Sequence, residues 1–176
     1  MVEGWLKING VDTLMARLKK MADDAHGTVK AGVLEGATNA GGKDVLEYAP
    51  VQEFGGRIPV TAKMSGFLAA NYGIHLRKDT RQIVIPPRSF LRTAYAKHRQ
   101  EWVDVLTRAI NAGKPGLEYV GAKMQDDIIA QIASSMPPPN SPATDYIKEQ
   151  DAPVNVGRTL MHTGTLAHAI DYEVTR

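Results

Sequence analysis

The most regular pattern of apolar positions lies in the second half of the chain. From Ser89 to Ala112, apolar residues recur every three or four positions, and Gly113 and Pro115 follow. This spacing predicts an amphipathic helix that ends at about residue 112. Its apolar stripe consists of Leu91, Tyr95, His98, Trp102, Val105, Leu106 and Ala109.

A second helix is predicted from Gly116 to about Ser135. Its stripe consists of Leu117, Val120, Met124, Ile128 and Ile132. Only a few residues separate the two predicted helices, and such a short connection favours an antiparallel pair.

The pattern in the first quarter of the chain is more mixed. It predicts a short strand at 5–8, a turn at Asn9-Gly10, a helix over 12–25 and a strand over 28–34. A glycine-rich loop follows at 36–42. Apolar positions over 45–54 predict a short helix, although Pro50 lies inside it.

Two further segments are predicted to lie outside the core. Residues 57–84 contain scattered glycines and basic residues and end in the strand Gln82–Ile85, so a β-hairpin arm is expected there. Residues 136–158 begin with three successive prolines and are expected to be extended and exposed.

The C-terminal pattern predicts a short turn and a strand. Thr163 or Thr165 is expected to cap a helical turn, and Ile170, Tyr172 and Val174 alternate with acidic residues in a half-buried strand. The order of elements indicates a single α+β domain over 1–176, with a small mixed or antiparallel sheet packed against two long helices.

Charge is unevenly distributed along the chain. Residues 57–108 hold ten Lys/Arg against three Asp/Glu, a net charge of +7, whereas 1–56 carry −2 and 109–176 carry −3. A basic middle between acidic flanks suits contact with nucleic acid, with an acidic protein surface or with another copy of the chain.

The chain has no cysteine, which excludes disulfides and thiolate chemistry. With no signal-like N-terminus and no membrane-length apolar run, a soluble protein made in a cytoplasm is expected.

The candidate catalytic groups do not form a recognisable set. The loop from Gly36 to Asp44 resembles a phosphate-binding loop, but an extra glycine intrudes and Asp44 replaces the hydroxyl residue that would meet magnesium. The five histidines lack the i, i+4 spacing of a helical metal site. The adjacent pairs Asp23/Asp24 and Asp126/Asp127 are interpreted as solvated helix charges. The chain is therefore expected to be neither an enzyme nor a cofactor-binding protein.

The segment Ile85–Arg92 joins a predicted strand to the long helix. Pro86 and Pro87 fix the direction of the chain before the helix. At helical spacing, Arg88 and Arg92 would lie on one face. With Arg99 they make a small basic nucleic-acid-binding module the alternative function, although no nucleic-acid fold motif is present.

Three short motifs follow one another along the chain: Tyr48-Ala49-Pro50-Val51-Gln52-Glu53-Phe54-Gly55-Gly56, Ile85-Pro86-Pro87-Arg88-Ser89-Phe90-Leu91-Arg92, and Leu160-Met161-His162-Thr163-Gly164-Thr165-Leu166 with Ile170. In this order they resemble motifs of the tail-completion, or neck, proteins that join head and tail in long-tailed bacteriophages. Together they cover most of the chain from 48 onward. Ser89 stands where the family usually has a second proline, and His162 where it usually has an aspartate.

The resemblance implies a non-enzymatic virion protein without a cofactor. It implies an oligomeric ring, six-fold in the family, at the neck or the head-proximal end of the tail, assembled in the host cytoplasm. Its partners would be itself, the tail tube or tail terminator protein and a head-tail connector protein, with non-specific contact to passing DNA and none to a membrane. Subunit or partner contacts are expected at Glu53, Phe54, Arg77, Lys78, Arg81, Arg88, Arg92 and Arg99.

Overall fold

The computed structural model of the chain describes residues 11–34, 36–38, 42 and 44–176. The predicted strand at 5–8 and the turn at 9–10 lie outside these residues. In chain order the helices are α1 Val11–Ala25, α2 Ala49–Phe54, α3 Ala62–Tyr72, α4 Phe90–Asn111, α5 Gly116–Ala133, α6 Pro142–Asp151 and α7 Thr165–His168. The strands are β1 Thr28–Val33, β2 Gly56–Pro59, β3 Gln82–Ile85 and β4 Ile170–Thr175. Short 3₁₀ turns occupy Val45–Glu47 and Pro153–Asn155.

Two long helices and a two-stranded sheet form the body of the protein. Helices α4 and α5 pack against each other, and α5 also packs on the antiparallel pair of β1 and β4. The register pairs Thr28 with Thr175 and Val33 with Ile170, so residues distant in the sequence become neighbours. The predicted α+β class, with a small sheet on two long helices, is confirmed.

The core lies where α4, α5 and the C-terminal elements meet. Phe90, Ile132, Ile170 and Val45 have side chains that are almost fully removed from solvent. The cluster around them also contains Ala49, Ala94, Ile128, Met136, Leu160, Leu166 and Ala167. Four of the five apolar positions predicted for the second helix are buried, whereas Tyr95 in the first stripe is 57% exposed. Tyr95 lies on the edge of the stripe, where it contacts the Trp102 ring.

The arm differs from a simple hairpin. Strands β2 and β3 pair antiparallel from Gly56–Ile85 to Pro59–Gln82, as a hairpin arm requires. Helix α3 lies between them, and Thr61 caps its start by accepting a hydrogen bond from the Met64 amide (3.1 Å). Gly73 ends it in the left-handed region at φ 65°. The sequence pattern does not predict this helix, because Gly66 interrupts its apolar run, although a glycine is tolerated inside the folded helix.

Residues 136–158 were expected to be extended, and this prediction is wrong because the segment contains the helix α6. Met136 is buried, and α6 begins after Ser141, whose hydroxyl accepts a hydrogen bond from the Thr144 amide (3.2 Å). Pro142 occupies the first turn of this helix, where no amide donor is needed. The segment is largely exposed, as expected, but it is folded onto the body by the buried Lys148.

Local capping also differs from the prediction in the last turn. Helix α7 begins after Gly164 in the left-handed region (φ 81°), without a side-chain cap. The hydroxyls of Thr163 and Thr165 bond to each other instead (2.7 Å). Pro50 is accommodated because α2 starts at Ala49, which places the proline in the first turn.

None of the helices in the described part of the chain combines the length and the apolar character needed to span a lipid bilayer.

Gly121 marks the closest approach of α5 to the sheet. A Cβ at this position would lie 2.7 Å from Cε2 and 2.9 Å from Cγ of Tyr172 on β4. Such distances require the ring or the helix to move, because protein interiors are close-packed.

We expect Gly121→Ala to destabilise the protein by about 1–3 kcal/mol, the usual cost of overpacking. Gly66→Ala is the matched control, since Gly66 is also helical but has no atom within 4 Å of its would-be Cβ. The control should be neutral or stabilise by up to about 1 kcal/mol, because alanine favours the helix. Urea unfolding of the two variants measures the difference. Equal effects would contradict the close packing of α5 on Tyr172.

Candidate functional site

The first two family-like motifs meet at Glu53, the penultimate residue of α2. Its carboxylate accepts hydrogen bonds from the backbone amides of Leu91 (2.9 Å) and Arg92 (3.3 Å) in the first turn of α4. These amides have no partner within their own helix, and the positive end of the helix dipole favours an anion there. Glu53 is only 3% exposed. A residue predicted to contact another subunit therefore caps the longest helix of its own chain.

Arg92 completes the junction on the solvent side. Its Nε donates to the Glu53 carboxylate (2.9 Å), and its Nη2 donates to the Glu53 carbonyl (3.0 Å) and the Ser89 hydroxyl (2.6 Å). The guanidinium also lies over the Phe54 ring, 4.8 Å from its centroid. Because the Arg92 side chain is 60% exposed and the Phe54 residue 65% exposed, this stacked pair remains accessible at the surface.

Arg88 has a different role from Arg92. It precedes α4 and is 7% exposed, so the two arginines do not share a helix face. Its guanidinium donates to the carbonyls of Pro138 (2.9 Å) and Pro139 (3.1 Å), and its own amide donates to the Gln52 carbonyl (2.7 Å). Burial lowers the pKa of the Arg88 guanidinium from its ordinary value. Arg88 therefore holds the proline segment against α4, an internal role that the sequence did not indicate.

Lys148 on α6 makes a similar set of contacts. Its ammonium group is buried and donates to the carbonyls of Arg158 and Met161, the latter at 2.6 Å. Burial lowers the pKa of Lys148, partly offset by the nearby Asp145 and reinforced by the positive charge of Arg88. Backbone carbonyls thus accept the hydrogen bonds of both buried cations, Arg88 and Lys148. The bond from Lys148 to Met161 holds the third motif close to the first two. No feature of the sequence distinguished Lys148 from a solvated helix lysine.

Two adjoining cavities open where the three motifs converge. Each has a volume of about 430 Å³, and Gln52, Thr144 and Thr159 line both. The Gln52 Oε1 and Thr159 Oγ1 atoms are buried without a protein partner, which makes them suitable positions for ordered water. Among the described residues that line the cavities, no nucleophile lies within hydrogen-bond distance of a general base, as acyl transfer would require.

A second polar cluster lies between α4 and α5. The Trp102 indole and the Lys123 ammonium each donate to the Asp127 carboxylate at 2.7 Å. Lys123 also lies 3.0 Å from Glu101, whose carboxylate is 3.2 Å from the His98 ring. Asp127 is only 7% exposed, so its interpretation as a solvated charge is wrong, whereas the neighbouring Asp126 is exposed.

The same cluster places three potential metal-ligand atoms close together. Donor atoms of His98, Glu101 and Asp127 lie within 4.8 Å of one another. The Lys123 ammonium already contacts both carboxylates, and it supplies the positive charge that a metal ion would bring. The geometry therefore favours a hydrogen-bonded ion cluster centred on Lys123 over a metal centre.

The remaining predicted interface residues are placed on the surface. Arg77, Lys78 and Arg81 lie in the arm between α3 and β3, and Arg99 lies on the outer face of α4; all four are exposed. In the glycine-rich loop, Asp44 caps the following 3₁₀ turn by accepting a hydrogen bond from the Leu46 amide (2.8 Å). That capping role explains the carboxylate at a position where a phosphate-binding loop needs a hydroxyl.

Replacement of Glu53 should destabilise the fold strongly. Glu53→Ala removes the cap of α4 and leaves the first-turn amides of Leu91 and Arg92 without an acceptor, at a cost of about 2 kcal/mol; the exposed Arg92 guanidinium can be hydrated instead and adds little. Glu53→Gln keeps the shape but loses the charge, so about half of that cost is expected. Glu47→Gln, at an exposed carboxylate in the 3₁₀ turn that precedes α2, is the control. Thermal unfolding monitored by circular dichroism ranks the three variants, and a Glu53→Ala protein as stable as the control would exclude the capping role.

The Asp127 cluster should make stability depend on pH. Burial alone would raise the pKa of the Asp127 carboxyl, but hydrogen bonds from Lys123 and Trp102, with the nearby positive charges of Lys123 and His98, outweigh burial and lower it. A carboxyl with a lowered folded-state pKa stabilises the protein above its unfolded pKa of about 3.9, and this stabilisation is lost as pH falls through the folded-state value.

At pH 7, Asp127→Asn should therefore be less stable than the wild type by about 1–3 kcal/mol. The difference in the free energy of unfolding between the wild type and the variant should become smaller below about pH 4, as the wild-type carboxyl is protonated. The exposed neighbour variant Asp126→Asn should follow the wild type throughout. Urea unfolding at a series of pH values measures the stability of the wild type and of both variants. If the stability difference between the wild type and Asp127→Asn is the same at pH 3 and pH 7, the charge of Asp127 does not stabilise the protein.

Comparisons of the chain with protein-family models, curated proteins and solved structures gave no match. The function of the chain is therefore inferred from its own residues and from the resemblance of its three motifs to those of phage neck proteins.

Proposed function

We propose that this chain is a structural protein of a bacteriophage virion, a tail-completion or neck protein that joins head and tail as an oligomeric ring. The observation that carries the proposal is the junction at Glu53. The first two motifs that resemble the family are separated by residues 57–84 in the sequence. They are nevertheless not independent surface features, because Glu53 of the first motif caps the helix that the second motif begins.

The third motif belongs to the same unit. Leu160, Leu166 and Ile170 are buried in one cluster with Phe90 of the second motif. The three motifs therefore form one packed unit around the start of α4. This packing supports the proposal that they act together as one structural framework.

The surface features fit an assembly role. Phe54 stacked under Arg92 and the basic groups Arg77, Lys78, Arg81 and Arg99 are accessible for contacts with neighbouring subunits, the tail tube or terminator protein and a connector protein. Glu53 and Arg88 would act indirectly, by holding α2, α4 and the proline segment in place. A ring whose members meet head to tail uses two different faces of each subunit, which suits a protein with separate basic and acidic regions.

The alternative, a small basic nucleic-acid-binding module, is less well supported. Arg88 donates to two carbonyls inside the chain, and Arg92 is paired with Glu53. Only Arg99 of the three proposed phosphate contacts has no such partner in the described structure. Non-specific contact with passing DNA remains part of the proposal, through the exposed basic groups of the arm.

The proposal is tested in the phage that encodes the chain. Antibodies against the protein should label the neck or the head-proximal end of the tail in purified virions. Disruption of its gene should yield DNA-filled heads and separate tails, and the wild-type gene supplied in trans should restore joined particles. Virions that lack the protein, or normal particles from the disrupted phage, would exclude the proposal. Tight, salt-sensitive binding of duplex DNA by the isolated monomer would favour the alternative.

A further inference from the structure

Strand β3 of the arm has an outer edge whose backbone groups are unpaired. The Val60 amide donates to the Arg81 carbonyl (3.0 Å), one step beyond the last paired residues of β2 and β3. In an antiparallel pair, residues that exchange hydrogen bonds alternate with residues that do not. This register directs the amides and carbonyls of Gln82 and Val84 away from β2, and no other backbone group of the described residues pairs with them. Such an edge is a template for another extended chain.

The outer edge of β2 is less suited to strand addition. By the same register, the outward positions of β2 are Arg57 and Pro59. Pro59 has no amide hydrogen to donate, and a proline on an exposed edge protects a sheet from pairing with other chains. The arm is therefore protected along β2 and open along β3.

A cavity follows the open edge of β3. Ile83, Val84 and Ile85 are consecutive, and all three line the cavity of about 430 Å³ that Arg88 also borders. Successive strand residues face opposite sides of a sheet, so a cavity that touches three in a row lies along the edge of the strand. No residue of β2 lines it. Its opposite wall is the proline segment at 138–141, which makes the edge of β3 one side of a groove.

Three polar groups in this groove have hydrogen-bonding capacity left over. The Gln52 Oε1 atom and the Thr159 hydroxyl are buried without a protein partner. The Arg88 guanidinium, on a residue that is 7% exposed, uses Nε and Nη2 for the carbonyls of Pro138 and Pro139, and its Nη1 makes no hydrogen bond to the described residues. An acceptor, a hydroxyl and a donor beside an open strand edge match the alternating N–H and C=O groups of an extended peptide.

Charge selects the kind of peptide. Residues 77–88 hold four basic side chains against one acidic side chain, a net charge of +3, and the buried Lys148 lines the adjoining cavity. Two copies of the chain that paired through β3 would bring these like charges together, which opposes a symmetric contact. An acidic segment is attracted to the same place, because its charge is complementary to that of the groove.

We propose that this groove binds an acidic, extended segment of a partner protein, which adds a third strand to the arm along the edge of β3. About four residues of the segment pair with β3, given the length of that strand. Backbone hydrogen bonds to Gln82 and Val84 supply affinity, and the surrounding cations favour acidic side chains. This inference adds a mode of contact to the proposed function and rests on it for the biological setting of the partner, but the purified chain is sufficient to test it.

The first probe is a yeast-displayed library of short random linear peptides, selected on the immobilised full chain. Selected peptides should be acidic and rich in β-branched residues, and a synthetic copy should bind more weakly as the salt concentration rises. Selection of no peptide, or of basic peptides, would overturn the inference. Because the full chain is used, a groove that the chain fills with its own residues would also appear as an absence of binding.

N-methylation of the selected peptide tests strand pairing without any change to the protein. Alternate amides of a strand face its partner, so methylation of every second residue blocks pairing in one of the two possible patterns and permits it in the other. One methylated peptide should bind at least about tenfold more weakly than the parent, and the other nearly as well as the parent. Equal affinities of the two methylated peptides would contradict strand addition.

Variants of the groove locate the site on the chain. Val84→Pro removes an outward amide but no bond to β2, and it should weaken binding at least about tenfold; Val84→Ala keeps the amide and is the matched control. Thr159→Val removes the unpartnered hydroxyl and should weaken binding at least about threefold without lowering stability in urea, because a hydroxyl without a partner does not stabilise the fold. If Val84→Pro and Thr159→Val both bind like the wild type, the peptide binds elsewhere and the inference fails.

The virion experiment is independent of these measurements. A chain that is found at the neck but binds no acidic peptide keeps the proposed function and loses the groove. A chain that binds the peptide along β3 but is absent from virions keeps the groove and loses the proposed function.

Discussion

The capping of α4 by Glu53 is the interaction on which the rest of the structure depends. A carboxylate that is almost completely buried must have its charge compensated, and here the first-turn amides of a 22-residue helix and the Arg92 guanidinium compensate it together. The same contact fixes the direction in which α4 leaves the arm. Because α5 packs on α4 and the β1–β4 sheet packs on α5, the orientation of the body follows from this junction.

Two buried cations extend that framework without forming ion pairs. Arg88 and Lys148 donate to backbone carbonyls of the irregular segments that precede and follow α6. These carbonyls have no partners in a helix or a sheet, and a buried carbonyl without a donor is costly. The cations therefore allow the proline segment and the third motif to lie close to the core.

The structure also separates residues that support a surface from residues that form one. Sequence reasoning assigned Glu53, Phe54, Arg88 and Arg92 to one expected interface. In the folded chain, Glu53 and Arg88 face inward, while Phe54 and Arg92 stack at the surface. Apolar groups on α3 and α1 that were not among the expected interface residues are more exposed than several that were.

The pattern of apolar positions was sufficient to predict the two long helices, the α+β class and the strands that form the sheet, because periodicities of 3.6 and 2 follow from local geometry. It did not determine α6, since successive prolines obscured a helix whose own capping signals begin only at Ser141. Nor did it distinguish Asp127 from Asp126, or Lys148 from a surface lysine. The environments of Asp127 and Lys148 depend on the folded chain, because burial and hydrogen-bond partners come from other segments: Trp102 for Asp127, and the carbonyls of the 155–161 segment for Lys148.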